Sequence, residues 1–342
     1  MHETSLAAAD LAVFMHGGNV EAAMRLFPQA PQPWLDLSTG INPRAYPYAD
    51  AGLDKAALTR LPAAEAIAAL EAAAARFYGV PDATCVVAAP GSQALIQWLP
   101  RLVPAARVGI LGFTYAEHAR SWRACGAHVT SVDRLEELAR MDVGVIVNPN
   151  NPDGRFVEPK DLRALAETMA AQRRLLVVDE AFVDFLGAGA SLAPILPAEG
   201  AVVLRSFGKA FGLPGLRLGF AVAPPAYAIS LRAALGPWAV GGSAIAIGLE
   251  AFGDPLWFSR IREELVADAH ILEKMLAAVG FACVGATPLY RLVAHPEAAG
   301  IFDRLGRAGI LVRPFAHRPD WLRFAMPGSE AACERLQHAL AR

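Results

Sequence analysis

Beyond residue 60 the chain alternates amphipathic stretches with short runs that are almost wholly apolar. The runs at 85–89, 108–111, 143–147, 175–178, 201–204 and 219–223 lack the polar and apolar alternation of a half-exposed strand. Such runs suit strands covered on both faces, so they predict the centre of a parallel sheet. Segments 65–78, 93–99, 116–125 and 159–171 carry helical periodicity and fill the crossovers between them. The chain therefore reads as α/β, and in such sheets ligands sit outside the carboxyl ends of the strands. Past Pro224 the pattern changes to helices at 225–235 and 255–279, the second long enough to bridge two domains. A strand at 289–293, a helix at 298–308, strands at 310–313 and 321–325 and a helix from Ser329 follow. The first 45 residues are rich in loop formers, among them Gly17, Gly18, Pro28, Pro31, Pro33, Gly40 and Pro43. We expect an N-terminal arm at 1–46 that joins the smaller domain, a large domain at 47–253 and a small α+β domain at 254–342.

Composition narrows the class. With 54% hydrophobic and 19% charged residues over 342 positions, the chain can bury a large core without a membrane span. The alanine-rich stretch 63–75 is interrupted or flanked by Glu65, Glu71 and Arg76 and reads as an amphipathic helix. Glu3 and Asp10, with no basic start before a long apolar core, argue against a secretory leader, so a cytoplasmic location is expected. Cys85, Cys125, Cys283 and Cys333 form no CxxC pair and have no His at ligand spacing, which predicts buried, reduced thiols and no metal site. A net charge of -2, with no basic arm, argues against nucleic acid as the main partner.

The residues after the strands carry the chemistry. Pro90-Gly91-Ser92-Gln93 opens a helix, where backbone N–H groups and the helix dipole favour an anion. Tyr115 follows the second strand, and the third ends in Asn148-Pro149-Asn150-Asn151-Pro152-Asp153-Gly154, a run fit only for a tight loop. Asp179 closes a wholly apolar strand, and a buried carboxylate there requires a cationic partner. Ser206-Phe207-Gly208-Lys209 places a lysine in a small-residue loop after a strand, with Arg217 eight residues further on. Glycines beside a lysine let backbone approach a flat ligand closely. Near the C-terminus, Arg313 and Arg323 lie in otherwise apolar strands, and a guanidinium so placed needs an anion. His16-Gly17-Gly18-Asn19 reads either as an anion-binding nest or as an N-terminal loop without a ligand.

Ser92, Tyr115, Asn151, Asp179, Ser206, Lys209 and Arg217, in this order and spacing, resemble the pyridoxal-phosphate site of fold-type I aminotransferases and their decarboxylase relatives. The resemblance implies that Lys209 holds the cofactor covalently and serves as the acid and base at the substrate's α carbon. It implies a phosphate cradle of Ser92 and Gln93 backbone with Ser206 and Arg217. Tyr115 would cover the ring, Asn151 would reach its phenolic oxygen and Asp179 its nitrogen. Phe182 stands where many of these enzymes carry tyrosine, which leaves Asn151 with more of the bonding to that oxygen.

His16-Gly17, Asn42 within Ile41-Asn42-Pro43, Arg313 and Arg323 sharpen the resemblance towards the threonine-phosphate decarboxylases of cobalamin biosynthesis. That likeness implies His16, Gly17, Asn42, Asn151, Arg313 and Arg323 as substrate contacts, with Arg323 on the carboxylate and Arg313 suited to a second anion. It implies a homodimer, although Leu61 replaces the tyrosine with which related enzymes reach a neighbouring subunit's cofactor. Histidinol-phosphate aminotransferase is the alternative activity. A cofactor-sensing regulator built on an inactive aminotransferase domain fits less well, because the Lys209 constellation is intact.

Overall fold

The computed structural model describes residues 14–48, 55–187 and 189–341. Residues 1–13, on which most of the argument about a leader rests, lie outside the described residues. The chain divides into two compact units, one of Ala45–Phe258 and one of the chain up to Arg44 together with Ser259–Arg342.

The first unit is built on a seven-stranded sheet. Its order is Val86–Ala89, Gly219–Val222, Ala201–Ser206, Leu175–Asp179, Val143–Val147, Arg107–Leu111 and His128–Val132. All neighbours pair in parallel except around Gly219–Val222, which runs against both of its neighbours. These strands are apolar because both faces are covered: Val87, Val145, Val177 and Leu204 are buried among Leu95, Leu99 and Trp122. Removing each such side chain from water contributes about 1.5–3 kcal/mol, enough for these runs to set the sheet's centre against the entropy of ordering them.

Among the elements of this unit that escape the pattern of the sequence are an outer strand and a buried helix. His128–Val132 is one of the two edge strands and four of its five residues are at least partly exposed, so it never becomes an apolar run. The helix Gly242–Phe252 opens on Gly-Ser, a start that looks like a loop, yet it buries Ala244, Ile245, Ile247 and Ala251. The strand that precedes Lys209 also runs on through Ser206, and the lysine itself lies in a short helical turn, Phe207–Ala210, instead of the expected loop.

In the second unit an antiparallel sheet has the order Arg313–Pro314, Trp321–Ala325, Tyr290–Ala294, Ala282–Thr287. The expected strand at 310–313 is divided: Ile310–Leu311 pairs in parallel with Leu35–Asp36, whereas Arg313–Pro314 pairs with Trp321–Ala325. Ala282–Thr287, an exposed edge strand, and the short helix Val20–Leu26 were not evident in the sequence. Asn19 caps that helix, accepting from Ala22 N–H at 3.1 Å. Phe14 and Phe27 meet Phe302 edge to face, at 5.4 and 6.2 Å between ring centroids, which ties the N-terminal segment to the helix Ala298–Arg307.

The expectation of buried thiols is overturned. Cys125 and Cys283 are exposed, and Cys85 and Cys333 are half-buried. Cys125 follows the last turn of the helix Ala116–Ala124 and Cys283 sits on the exposed edge strand, so their positions hold them outside the core. Among the described residues, no helix is long and apolar enough to cross a membrane.

Candidate active site

Sheet order brings the sequence candidates of the large unit to one edge. From strand to neighbouring strand, the residues that leave it are Ser92, Arg217, Ser206 with Lys209, Asp179, Asn151 and Tyr115. Register holds them level: Ala89 pairs with Gly219, Gly219 with Ser206, and Asp179 with both Leu204 and Val147. Because Gly219–Val222 runs in the opposite sense, it starts at the edge where its neighbours end, and so brings Arg217 to the same place.

At one end of this row the helix Ser92–Leu102 begins after Gly91 with no side-chain cap. Its N-terminal N–H groups are thus presented where the helix dipole is positive. Gly91 has φ 82°, and a Cβ there would stand 2.6 Å from Arg217 Nη2, so the guanidinium lies directly over the loop. Arg217 itself is left-handed at φ 51° and donates to Pro214 O at 3.0 Å. Next comes Lys209, whose Nζ is 5.6 Å from the centroid of the buried Phe182 ring.

Asp179 is 3% exposed. Its Oδ2 lies 2.8 Å from Nε2 of His118, which is itself 1% exposed, and its Oδ1 accepts from Ala181 N–H at 3.1 Å. A carboxylate only accepts, so the imidazole donates from Nε2. Tyr115 precedes the helix Ala116–Ala124 and donates its hydroxyl to Gln93 Oε1 at 3.1 Å. Gln93 Nε2 in turn donates to Glu117 at 3.4 Å, so the amide orientation is set by the carboxylate beyond it.

His118 was not among the sequence candidates. Its signal was a histidine in the first turn of a crossover helix, and nothing in the chain announces that the helix lies over the Asp179 strand. A second omission lies behind the row. Arg205, 4% exposed, donates to Glu180 Oε2 at 3.0 Å, to Ser191 Oγ at 2.9 Å and to Asp184, and its guanidinium stacks 4.2 Å from the Tyr78 centroid. Burial pushes the Glu180 and Asp184 carboxyls up, and the Arg205 charge opposes that rise. The argument that singled out Asp179, a charge in an apolar strand, applied equally to Glu180 and Arg205.

The second unit holds its own cluster. Arg313 and Arg323 are direct partners across adjacent antiparallel strands, which sets both side chains on the same face. Arg323, 2% exposed, donates to Ser38 O at 2.9 Å and lies 4.8 Å from the Tyr290 centroid. Arg313 donates to Met15 O at 2.8 Å. Burial first, and then the neighbouring Arg313 charge, push the Arg323 guanidinium down to about 9. Gly17 packs so closely on the Ser38 backbone that a Cβ would stand 2.3 Å from Ser38 O, and Gly18 N–H donates to Ser38 Oγ at 2.7 Å. His16 and Gly17 are thereby held beside the two arginines. Asn42 is buried and its Oδ1 accepts from Arg44 N–H at 2.9 Å, which fixes the turn that follows.

The donor set of the large unit matches a phosphorylated aromatic aldehyde with a ring nitrogen. Uncapped helix N–H groups, Ser206 and Arg217 suit the phosphate, a buried carboxylate suits a protonated ring nitrogen, and a lysine suits the aldehyde. The close approach of the Arg217 guanidinium over Gly91, which any Cβ would block, is the clearest geometric sign of such a cradle.

The Aminotransferase class I and II family matches residues 33–340, and the chain belongs to that family. It is similar to the threonine-phosphate decarboxylase of Pseudomonas aeruginosa, 41% identical over 328 residues, 95% of this chain and 96% of that protein. It is 28% identical to the histidinol-phosphate aminotransferase of Methanosarcina barkeri, over 89% of this chain and 86% of that protein. Its fold matches that of the histidinol-phosphate aminotransferase of Sinorhizobium meliloti, solved in complex with pyridoxal-5'-phosphate. That match has a TM-score of 0.83 at 22% identity and covers 96% of this chain and 95% of the other. The fold is thus that of the fold-type I enzymes, with a mostly parallel sheet flanked by helices.

Proposed function

We propose that the protein is a pyridoxal-phosphate-dependent enzyme that decarboxylates O-phospho-L-threonine to (R)-1-amino-2-propanol O-phosphate, the linker unit of cobalamin. The observation that carries this reading is the pairing of Arg313 with Arg323 on one face of the small unit's sheet. Two guanidinium groups side by side repel each other and call for two anionic groups, and a phosphorylated amino acid supplies a phosphate and a carboxylate. The likeness to a threonine-phosphate decarboxylase at 41% identity supports the same substrate, and the more distant aminotransferase at 28% supports the alternative less well.

In this reading Ser92 and Gln93 N–H, the Ser206 hydroxyl and Arg217 hold the cofactor phosphate. Asp179, oriented by His118, keeps a proton on the ring nitrogen. Tyr115 covers one face of the ring and Asn151 donates to its phenolic oxygen. When bound, pyridoxal phosphate supplies an electron sink for the pair released as carbon dioxide leaves. Lys209 would hold the cofactor at rest, and its amine, once free, would serve as the acid that protonates the substrate's α carbon. His16, Gly17, Asn42, Asn151, Arg313 and Arg323 orient the substrate so that the carboxylate bond is the one that breaks. We assign the large body at 47–253 to cofactor binding, and the arm at 1–46 with the domain at 254–342 to substrate binding. The enzyme acts as a homodimer in the cytoplasm.

The test is to incubate the cofactor-loaded protein with O-phospho-L-threonine, without any keto acid, and to follow carbon dioxide together with the cofactor's visible absorbance. Sustained carbon dioxide release with the absorbance retained supports the decarboxylase. One conversion to the pyridoxamine form, with turnover only after 2-oxoglutarate is added, replaces it with the aminotransferase.

A further inference from the structure

The loop that carries Tyr115 leaves the sheet after Leu111, and it has no regular structure until Ala116. Backbone carbonyls in such a segment need donors, and where these come from decides what holds the loop. Three successive carbonyls, the last of the strand and the first two of the loop, take donors from outside the loop. Leu111 O accepts from Arg155 Nη2 at 2.7 Å, Gly112 O from Ser131 Oγ at 3.3 Å, and Phe113 O from Asn150 Nδ2 at 2.9 Å. Two of the three donors belong to the turn that also carries Asn151.

That turn is itself closed before it reaches across. Asn150 N–H donates to Arg155 O at 2.8 Å, Gly154 N–H to Asn150 O at 2.8 Å, and Asp153 Oδ1 accepts from Arg155 N–H at 3.0 Å and from Asn150 Nδ2 at 2.7 Å. The Arg155 guanidinium lies against Gly112, where a Cβ would stand 2.6 Å from Nη1 and 3.3 Å from Cζ. Gly112 has φ +65°, so both its conformation and its missing side chain serve this contact. A charged, planar fork thus braces the backbone at Leu111 and Gly112.

We propose that Arg155 is a positioning residue for Tyr115, acting through the backbone of Leu111 and Gly112 to couple the Asn151 turn to the aromatic cover of the cofactor ring. The proposal rests on the reading given above for Tyr115, but its physical part, the brace, belongs to the chain alone. Arg155 touches no reacting group in this scheme. Its removal is therefore expected to change cofactor geometry and affinity more than fold.

The experiment compares wild type, Arg155→Met, Arg155→Lys, Gly112→Ala and the double variant Arg155→Met/Gly112→Ala. Amide hydrogen exchange of the cofactor-free proteins is read at peptides spanning 112–117 and, as a control, 86–99. Pyridoxal phosphate titrations with visible circular dichroism read the cofactor's setting. We expect Arg155→Met to lose protection at 112–117 and not at 86–99, to weaken pyridoxal phosphate binding about tenfold, as the loss of a charged hydrogen bond implies, and to alter the dichroic band. Arg155→Lys, which keeps a donor but not the flat fork, regains part of each effect. Gly112→Ala reproduces the loss, and the double variant is no worse than the worse single one because both act on one contact. Unchanged protection at 112–117 in Arg155→Met, or a loss spread equally to 86–99, overturns the proposal. If wild type takes up no pyridoxal phosphate, the functional reading fails, and the exchange measurement on the cofactor-free chain still decides for or against the brace.

Discussion

His118 Nε2 stands 2.8 Å from Asp179 Oδ2, and both side chains are buried at the end of the central strand Leu175–Asp179. The pair joins a crossover helix to the carboxylate assigned to the ring nitrogen, so the carboxylate meets the ligand with one oxygen already fixed. Its other oxygen is held by Ala181 N–H at 3.1 Å. Asp179 therefore has little freedom to turn away.

His118→Phe removes the donor and leaves one buried carboxylate oxygen unsatisfied. A group stranded in this way costs about 1–3 kcal/mol, so pyridoxal phosphate affinity is expected to fall by about ten- to a hundredfold. Equilibrium titration of the cofactor-free variant measures it. Binding within twofold of wild type would show that the imidazole does not set the carboxylate. His118→Asn, which keeps a donor of shorter reach, is expected to fall between the two.

How far the sequence could be read follows from what each residue faces. The runs around Val87, Val145, Val177 and Val202 were legible because both faces of those strands are buried, and burial on both sides leaves an unbroken apolar signature. His128–Val132 and Ala282–Thr287 are edge strands with exposed positions, and nothing local separates them from loop. The candidates Ser92, Tyr115, Asn151, Asp179, Ser206 and Lys209 come to one edge because parallel strands deliver their ends there, and Arg217 joins them because Gly219–Val222 runs in the opposite sense. Contacts between elements were not legible. His118 and Asp179 are 61 residues apart, and the Arg155 contact with Leu111 spans 44, so each depends on which strand lies beside which.

Lys209→Ala is expected to abolish turnover and the visible absorbance of the covalently held cofactor, while leaving phosphate contacts able to bind it weakly. Spectra before and after gel filtration, with carbon dioxide release from O-phospho-L-threonine, make the comparison. Wild-type activity in this variant would remove the lysine from the assignment.

Burial first, and then the like charge of Arg313 beside it, hold Arg323 below its ordinary range, and an anion between the two relieves the repulsion. Inorganic phosphate at neutral pH is therefore expected to raise the thermal midpoint of wild type, since a ligand bound only by the folded state stabilises it. Arg313→Gln and Arg323→Gln should each lose most of that rise, measured by scanning calorimetry with and without phosphate in cofactor-loaded protein, whose other phosphate cradle is already filled. Arg313→Gln should also allow the Arg323 guanidinium to move back up, because the like charge is gone. An equal phosphate effect in all three proteins would place the anion elsewhere.

Arg205 is the cation of a buried cluster, and its loss strands two carboxylates. Glu180 is fully buried and also accepts from Leu192 N–H at 2.7 Å, while Asp184 relies on the same guanidinium. Breaking a buried pair on one side costs about 3–5 kcal/mol, so Arg205→Met is expected to lose that much stability at pH 7 to 8 in urea denaturation. The pH dependence has a definite sign. Burial already raises both carboxyls, and without Arg205 they rise further. A carboxyl raised in the folded state favours folding when protonated, and that contribution fades as pH climbs through its folded value. The gap between wild type and Arg205→Met is therefore expected to narrow as pH falls from 8 towards 5. A gap that stays constant or widens on acidification would mean that the two carboxylates are not left as uncompensated charges, and that the arginine acts through its stacking on Tyr78 instead.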